Sequence, residues 1–173
     1  MTYSTKSSAF FGVAALALLC SSAAHAETAT STFDVTLDID ATCSVAAGTG
    51  SDIDLGTEDS DATDLSGSST FSVNCSKTVP YFIGLAPSNG ATDGAGVMSP
   101  AGSSADTVPY QLRQASGASG TIWGDTATTT AVGNGVAGTG SGADQDHTVY
   151  VTVPSANYAP DSYSDTVTIT VNY

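Results

Sequence analysis

The final eight residues, Thr166–Tyr173, read TVTITVNY and alternate hydroxyl or amide side chains with β-branched apolar ones. A period of two places Val167, Ile169 and Val171 on one face of an extended strand, with the threonines on the other face. This pattern predicts a half-buried strand, for which we expect the bounds Ser164–Tyr173.

A second alternating stretch lies near the opposite end of the chain. Residues 33–40 read FDVTLDID, so an apolar row alternates with a row of aspartate and threonine. The same periodicity predicts a strand over Thr32–Ile39 with one apolar and one acidic face. The apolar row consists of Phe33, Val35, Leu37 and Ile39.

The stretch that precedes this segment has the features of a secretion signal. Residues 1–26 contain an early lysine, an apolar run over Ala9–Leu19 and the small-residue ending Ala24-His25-Ala26. These features predict a cleaved signal peptide and a product that starts at Glu27. A lipoprotein anchor at Cys20 is the disfavoured alternative, because a large leucine precedes that cysteine.

The charge of the predicted product restricts its partners. Removing 26 residues from 173 leaves 147, enough for one core of ordinary size, and all 17 acidic residues remain beside one lysine and one arginine, for a net charge of −15. Phosphates could not be neutralised by such a surface, so a nucleic-acid ligand is excluded. The acidity is expected to serve solubility and repulsion between chains.

Cysteine usage predicts an oxidised chain. Removal of Cys20 with the signal leaves Cys43 and Cys75, and two cysteines in a secreted protein are expected to form a disulfide. Closing that loop stabilises the fold by roughly 3–4 kcal/mol in the chain-entropy description.

The body of the chain lacks a helical period and consists of short apolar or alternating runs separated by turn residues, which predicts an all-β fold of Greek-key sandwich type. Two stretches rich in small residues, 86–105 and 115–142, are expected to be loops that could hide a further strand. Besides the two terminal strands, the expected strands are Thr42–Val45, Ser69–Cys75, Val79–Leu85, Thr107–Leu112, Thr121–Trp123 and His147–Val153.

Candidate catalytic groups are scarce. The predicted product contains one histidine, His147, which we interpret as a structural or surface imidazole, and no nucleophile with a neighbouring base. No catalysis and no cofactor are therefore predicted. The acidic residues between Asp52 and Asp64 could offer oxygen ligands to calcium, but solvated loop acids are the favoured interpretation. Trp123 is interpreted as a core residue in preference to a sugar-binding platform.

Several short motifs occur in a characteristic order, and together they span essentially the whole of residues 27–173. The motifs are TCSV at 42–45, LGT at 55–57, FSVNC at 71–75, PYQL at 109–112, IWGD at 122–125 and YSDTVTITVNY at 163–173. With this set the chain resembles the spore coat protein U family, which includes pilins of the archaic chaperone-usher pathway. Two positions depart from the family pattern: Arg113 stands where an aromatic is common, and Asp161 where a glycine is common.

The resemblance implies an incomplete immunoglobulin-like Greek-key sandwich that is completed by donor-strand complementation. Residues 27–41 would then be an N-terminal donor segment and residues 42–173 the incomplete domain. The implied donor strand runs roughly over Thr30–Ile39, with Phe33, Val35, Leu37 and Ile39 as the inserting row. The groove that receives a neighbour's donor strand would lie beside the terminal-strand residues Val167, Ile169, Val171 and Tyr173.

The family also implies partners and a location. The expected partners are identical or related pilin subunits, a periplasmic chaperone and an outer-membrane usher, and the expected location is a fibre at the cell surface that serves adhesion or biofilm formation. One alternative is a self-contained secreted coat or adhesive module whose N-terminal strand pairs within its own chain. Another is a carbohydrate or calcium binder that uses the aromatic or acidic loops.

Overall fold

Short runs of alternating or apolar residues form nine strands and a single turn of 3-10 helix in the computed structural model, which describes residues 27–173. The predicted signal peptide, residues 1–26, lies outside the described residues. The 3-10 turn covers Thr49–Ser51. The strands are β1 Cys43–Ala46, β2 Thr63–Cys75, β3 Pro80–Pro87, β4 Ala95–Pro100, β5 Val108–Arg113, β6 Val136–Thr139, β7 Gln145–Ser155, β8 Tyr163–Ser164 and β9 Val167–Asn172.

The strands form two antiparallel sheets. The larger has the order β1-β2-β7-β5-β4-β8 and the smaller the order β6-β3-β9. The longest ladder joins β2 to β7, from Thr63 opposite Ser155 to Val73 opposite Gln145. Strands far apart in sequence are therefore neighbours in space, and the predicted all-β class is confirmed.

The core lies between the two sheets and follows the period-2 pattern of the strands. Phe71, Val73 and Cys75 of β2 are buried, and the residues between them are half-buried. Trp123 is 1% exposed, and its indole Nε1 donates a hydrogen bond to the carbonyl of Ile83 at 3.0 Å. The interpretation of Trp123 as a core residue is confirmed. The other buried apolar residues are Tyr81, Ile83, Leu85, Val108, Tyr110, Leu112, Val149, Val151 and Val153.

Most strand predictions are confirmed, because each predicted run at 42–45, 69–75, 79–85, 107–112 and 147–153 overlaps an observed strand. The observed β2 and β7 extend beyond the predicted bounds. β4 and β6 lie within the two stretches that were expected to be loops.

Three strand predictions are wrong in whole or in part. Thr32–Ile39 is not a strand, since no ladder in the described chain includes it, and alternation alone cannot satisfy backbone hydrogen bonds. Thr121–Trp123 makes only an isolated bridge, between Arg113 and Ile122. Ser164–Tyr173 is interrupted between β8 and β9, and Tyr173 falls outside β9.

Candidate functional site

Two sheet edges lie near each other in the sandwich. β9 is an edge of the smaller sheet, where it pairs with β3 alone, and β1 is an edge of the larger sheet, where it pairs with β2 alone. β1 and β9 approach each other without forming a ladder among the described strands. An edge strand presents unpaired backbone groups, so this seam can accept another strand.

The backbone groups that face the seam can be assigned from the pairing of β3. Leu85 lies opposite Ile169 in the ladder, but its amide donates to the carbonyl of Gly124 at 3.0 Å and so points away from β9. Leu85 and Ile169 are therefore a non-hydrogen-bonded pair, and the pairs two residues away on either side are of the same kind, because the two kinds of pair alternate along an antiparallel ladder. The amides and carbonyls of Val167, Ile169 and Val171 consequently point away from β3, to the open edge.

The side chains of the same three residues form an incompletely covered apolar row. Val167, Ile169 and Val171 pack against the core and remain only half-buried. Across the seam, Val45 of β1 is 40% exposed. β9 thus presents both unpaired backbone and uncovered apolar side chains.

A cleft of about 460 Å³, called the β9 cleft below, opens beside the first half of β9. Val167 and Ile169 line one side, and core side chains form its floor, so the cleft reaches into the interior of the sandwich. Val171 and Tyr173 do not line it. The floor consists of Phe71, Leu85, Leu112, Val149 and Val151.

The opposite wall of the β9 cleft is formed by the segment after the 3-10 turn. Ile53 and Leu55 line the cleft and are half-buried against the core. They lie close to β2 because Gly67 has no side chain there. A Cβ at Gly67 would come within 2.7 Å of Ile53 Cγ2 and 2.9 Å of Leu55 Cδ2. Ile53 and Leu55 were missed as site residues, because the aspartates around them favoured the interpretation as a solvated loop.

The rim of the β9 cleft is acidic. Asp52 and Asp165 both line it, and the hydroxyl of Tyr110 donates to Asp165 Oδ2 at 2.6 Å. Partial burial raises the pKa of the Asp165 carboxyl, but hydrogen bonds from Ser88 and Tyr110 outweigh it and hold the pKa below its usual value. Asp165 is therefore ionised at neutral pH and repels carboxylates that approach this end of the cleft.

The predicted donor row is open to solvent. Phe33, Val35, Leu37 and Ile39 are between 82% and 88% exposed. Large apolar side chains at regular spacing are rarely left this exposed without an interaction to make. Of the terminal-strand residues, the structure places three in β9, while Tyr173 is 51% exposed beyond its end.

The predicted disulfide is confirmed. Cys43 of β1 lies opposite Cys75 of β2 in the ladder, and their sulfur atoms are bonded. The bond closes a loop of 32 residues in sequence separation and anchors one edge of the seam to the larger sheet.

His147 is structural and bridges the two sheets. Its Nε2 lies 3.0 Å from the hydroxyl of Tyr81 on β3, and its ring stacks on Phe71 of β2. Burial lowers the pKa of the imidazole below 6.5, and the charge of neighbouring Asp146 opposes this only in part.

Stability is consequently expected to decline as the pH falls below about 6.5. In the unfolded chain, His147 takes up a proton at the ordinary histidine pKa of 6.5, whereas in the folded chain it resists protonation. Neutral His147 therefore contributes its full share to the free energy of unfolding above pH 6.5. This share is lost as the pH drops from 6.5 through the lowered pKa of the folded state. Melting temperatures at about pH 7.5 and 5.5 measure the effect, with His147→Gln as the non-titrating control. An equal drop in melting temperature in the parent and in His147→Gln would show that His147 is not the cause. Asp161 and Asp165 cannot account for a drop between about pH 7.5 and 5.5, because their pKa values are lowered and they titrate at more acidic pH.

Residues 27–173 contain no helix that is long and apolar enough to cross a membrane. Within the same range, no three or more histidine, cysteine, aspartate or glutamate side chains are grouped to hold a metal ion.

The fold and the site define a class of protein, an all-β sandwich whose last described strand leaves an open edge over an apolar cleft. The family model of the Spore Coat Protein U domain matches residues 29–170. The chain therefore belongs to this family, and the resemblance drawn from its motifs is confirmed.

Comparison with solved structures gives a similar protein of low identity. It is a chain in the crystal structure of the CsuC–CsuE chaperone-tip adhesion subunit pre-assembly complex from archaic chaperone-usher Csu pili of Acinetobacter baumannii, with 23% identity and a TM-score of 0.45. The match covers 77% of the present chain and 40% of the other. A comparison with curated proteins finds no match.

Proposed function

We propose that this chain is a structural pilus subunit that polymerises when the N-terminal segment of one copy is inserted into the β9 cleft of the next. The observation that carries the proposal is the open edge of β9, where the unpaired backbone of Val167 and Ile169 borders a cleft that reaches the core. Addition of an extended segment to a sheet edge is an established mode of recognition, in which the backbone supplies affinity and alternate side chains enter pockets.

The N-terminal segment has the pattern that such a cleft requires. Alternate residues of a strand lie roughly 6.5 Å apart on one face, so the row Phe33, Val35, Leu37 and Ile39 has the same spacing as the apolar row of β9. The intervening aspartates would face solvent. This orientation keeps them from the ionised Asp165 at the rim of the cleft.

The energetics of this exchange favour an assisted process. Burying four large apolar side chains contributes roughly 6–12 kcal/mol, and each new backbone hydrogen bond adds about 1 kcal/mol. Ordering about ten backbone residues costs roughly 10–20 kcal/mol. These contributions nearly balance, so a partner that holds the cleft open before exchange would make assembly efficient. Slow unfolding of the completed sandwich would then preserve the fibre.

The proposed partners follow from this scheme and from the family. They are other copies of this chain or related subunits, a periplasmic chaperone that occupies the β9 cleft before assembly, and an outer-membrane usher. The product is a fibre at the cell surface that serves adhesion or biofilm formation. The chain acts as a building block in this scheme and needs no catalytic group.

Deletion of Glu27–Asp40 tests the proposal. The shortened chain retains the whole sandwich and the β9 cleft, and is expected to form no fibres while it binds a synthetic peptide of residues 27–40 and gains thermal stability from it. The control peptide carries the same residues in scrambled order, so its composition and charge are unchanged. Fibres from the shortened chain at the yield of the full chain, or equal stabilisation by both peptides, would refute the proposal.

A further inference from the structure

A second groove lies on the outer face of the larger sheet, away from the core. Its volume is about 600 Å³, within the range of small-molecule sites, roughly 300–1,000 Å³. The register of the ladders aligns Ser66 of β2, Thr152 of β7 and Gln111 of β5 in one row across its floor. Arg113 follows Gln111 on the same face of β5. Hydrogen-bonding side chains therefore lie along the floor of the groove, and apolar or small residues, among them Leu65, Pro109 and Pro154, line the rest of it.

Arg113 is the sole arginine of the chain, and its guanidinium is only partly used by the protein. Nε donates to Thr152 Oγ1 at 3.1 Å, and Nη1 donates to the carbonyl of Gly120 at 2.6 Å. Both partners are neutral oxygens, although the chain carries 17 acidic residues. A guanidinium has five N–H donors in a planar fork, so several remain for a ligand. The natural complement of this fork is a carboxylate.

Two polar residues of the lining fit a sugar as the carrier of that carboxylate. Asp64 also lines the groove, and its acidic side chain disfavours a bare anion but accepts hydrogen bonds from hydroxyl groups. The amide nitrogen of Gln111 donates to the carbonyl of Asp93 at 2.9 Å, which leaves its amide oxygen as a further acceptor. A ligand that fits both ends presents a carboxylate to Arg113 and hydroxyls to Asp64, Gln111 and Ser66.

We infer that this groove binds a carboxylate-bearing saccharide unit, such as a uronic acid at the end of a glycan. The inference goes beyond polymerisation, because the groove is on the outer sheet face and shares no role with the open edge of β9. It depends on Arg113, the sole arginine of the chain.

Calorimetric titration of the mature chain with glucuronate tests the inference, with acetate and methyl glucoside as the two partial ligands. Glucuronate is expected to bind at least about tenfold more tightly than either, because only it engages both ends of the groove. Arg113→Gln is expected to weaken glucuronate binding by about tenfold or more, the usual effect of losing a charged hydrogen-bonding partner. Lys77→Gln, which removes the same charge outside the groove, is the matched control and should leave binding unchanged.

A second variant separates ligand binding from the support that Arg113 gives to the loop around Gly120. Ser66→Tyr fills the exposed floor of the groove and removes no hydrogen bond of Arg113, so it should abolish glucuronate binding at an unchanged melting temperature. The inference is overturned if glucuronate does not bind, if it binds no better than acetate, or if both variants bind it like the parent chain. It is equally overturned if Arg113→Gln changes only the self-association of the protein, since the guanidinium would then pair with a second copy.

Discussion

Replacing Leu37 by aspartate is expected to abolish the joining of subunits. Leu37 is 82% exposed in the isolated chain and lies in the middle of the row that we propose enters the β9 cleft of a neighbour. Loss of the buried leucine side chain costs roughly 1.5–3 kcal/mol, and desolvation of an unpaired carboxylate adds to that cost. Subunit affinity should therefore fall by about a hundredfold or more. Fibre yield by sedimentation and electron microscopy measures the effect.

The matched control for this variant is Thr36→Asp. It adds the same charge one residue away, on the row that faces solvent in the proposed complex, and fibre yield should change little. Equal loss of fibres in both variants would show that added charge, and not the face that carries it, governs assembly. Unchanged fibre formation by Leu37→Asp would show that Leu37 does not belong to the row of side chains that enters the β9 cleft.

Replacing Trp123 by alanine is expected to cost about 3–5 kcal/mol of folding free energy, the usual range for removing a buried aromatic side chain. Trp123 is 1% exposed, its ring centroid lies 5.9 Å from that of Phe71, and its Nε1 satisfies the carbonyl of Ile83. The substitution removes this packing and leaves the carbonyl without its donor. Denaturant unfolding of a protein of residues 27–173 measures the loss.

Ile122→Ala serves as the control for the tryptophan substitution. Ile122 is 38% exposed and adjacent in sequence, so its truncation should cost less than about 1 kcal/mol. Similar losses at the two positions would contradict the assignment of Trp123 as a central core residue.

The strands that were predicted, in whole or in part, are those with a local signal. In β9 and β7, β-branched residues alternate with polar ones, because one face of each strand packs on the core. β4 reads AGVMSP and β6 reads VAGT, and such short, weakly apolar sequences become strands only because they pair with β5 and β3. A strand that forms because of its pairing with a distant strand cannot be predicted from the local sequence pattern alone.

The segment Thr32–Ile39 shows the reverse case. Its alternation is as clear as that of β9, yet the structure contains no ladder for it. The alternating pattern indicates which face of a strand is to be buried. It does not indicate whether the strand that it pairs with belongs to the same molecule or to another one. In our proposal the partner is a second copy, which explains both the pattern and its exposure.

The family resemblance implied a groove beside Val167, Ile169, Val171 and Tyr173, and the first two of these residues line the β9 cleft. The opposite wall depends on Gly67, whose missing side chain admits Ile53 and Leu55. A close approach between residues of different strands and loops cannot be read from a local pattern.

Asp161, the second departure from the family pattern, has a structural use that its sequence context did not reveal. Its carboxylate accepts hydrogen bonds from the amides of Gly102, Ser104 and Ser162, at 2.9, 3.1 and 2.8 Å. These hydrogen bonds hold the pKa of Asp161 below its usual value and fix the loop after β4 beside β8.

The most direct test of the account is amide hydrogen exchange on the chain that lacks Glu27–Asp40, with and without the peptide of residues 27–40. The amides of Val167, Ile169 and Val171 face the open edge, whereas those of Thr168 and Thr170 already face β3. If the peptide pairs with the open edge of β9, it slows exchange of the first three amides by at least about tenfold more than that of the two threonines. A uniform change along β9, or protection confined to another part of the sandwich, would contradict it.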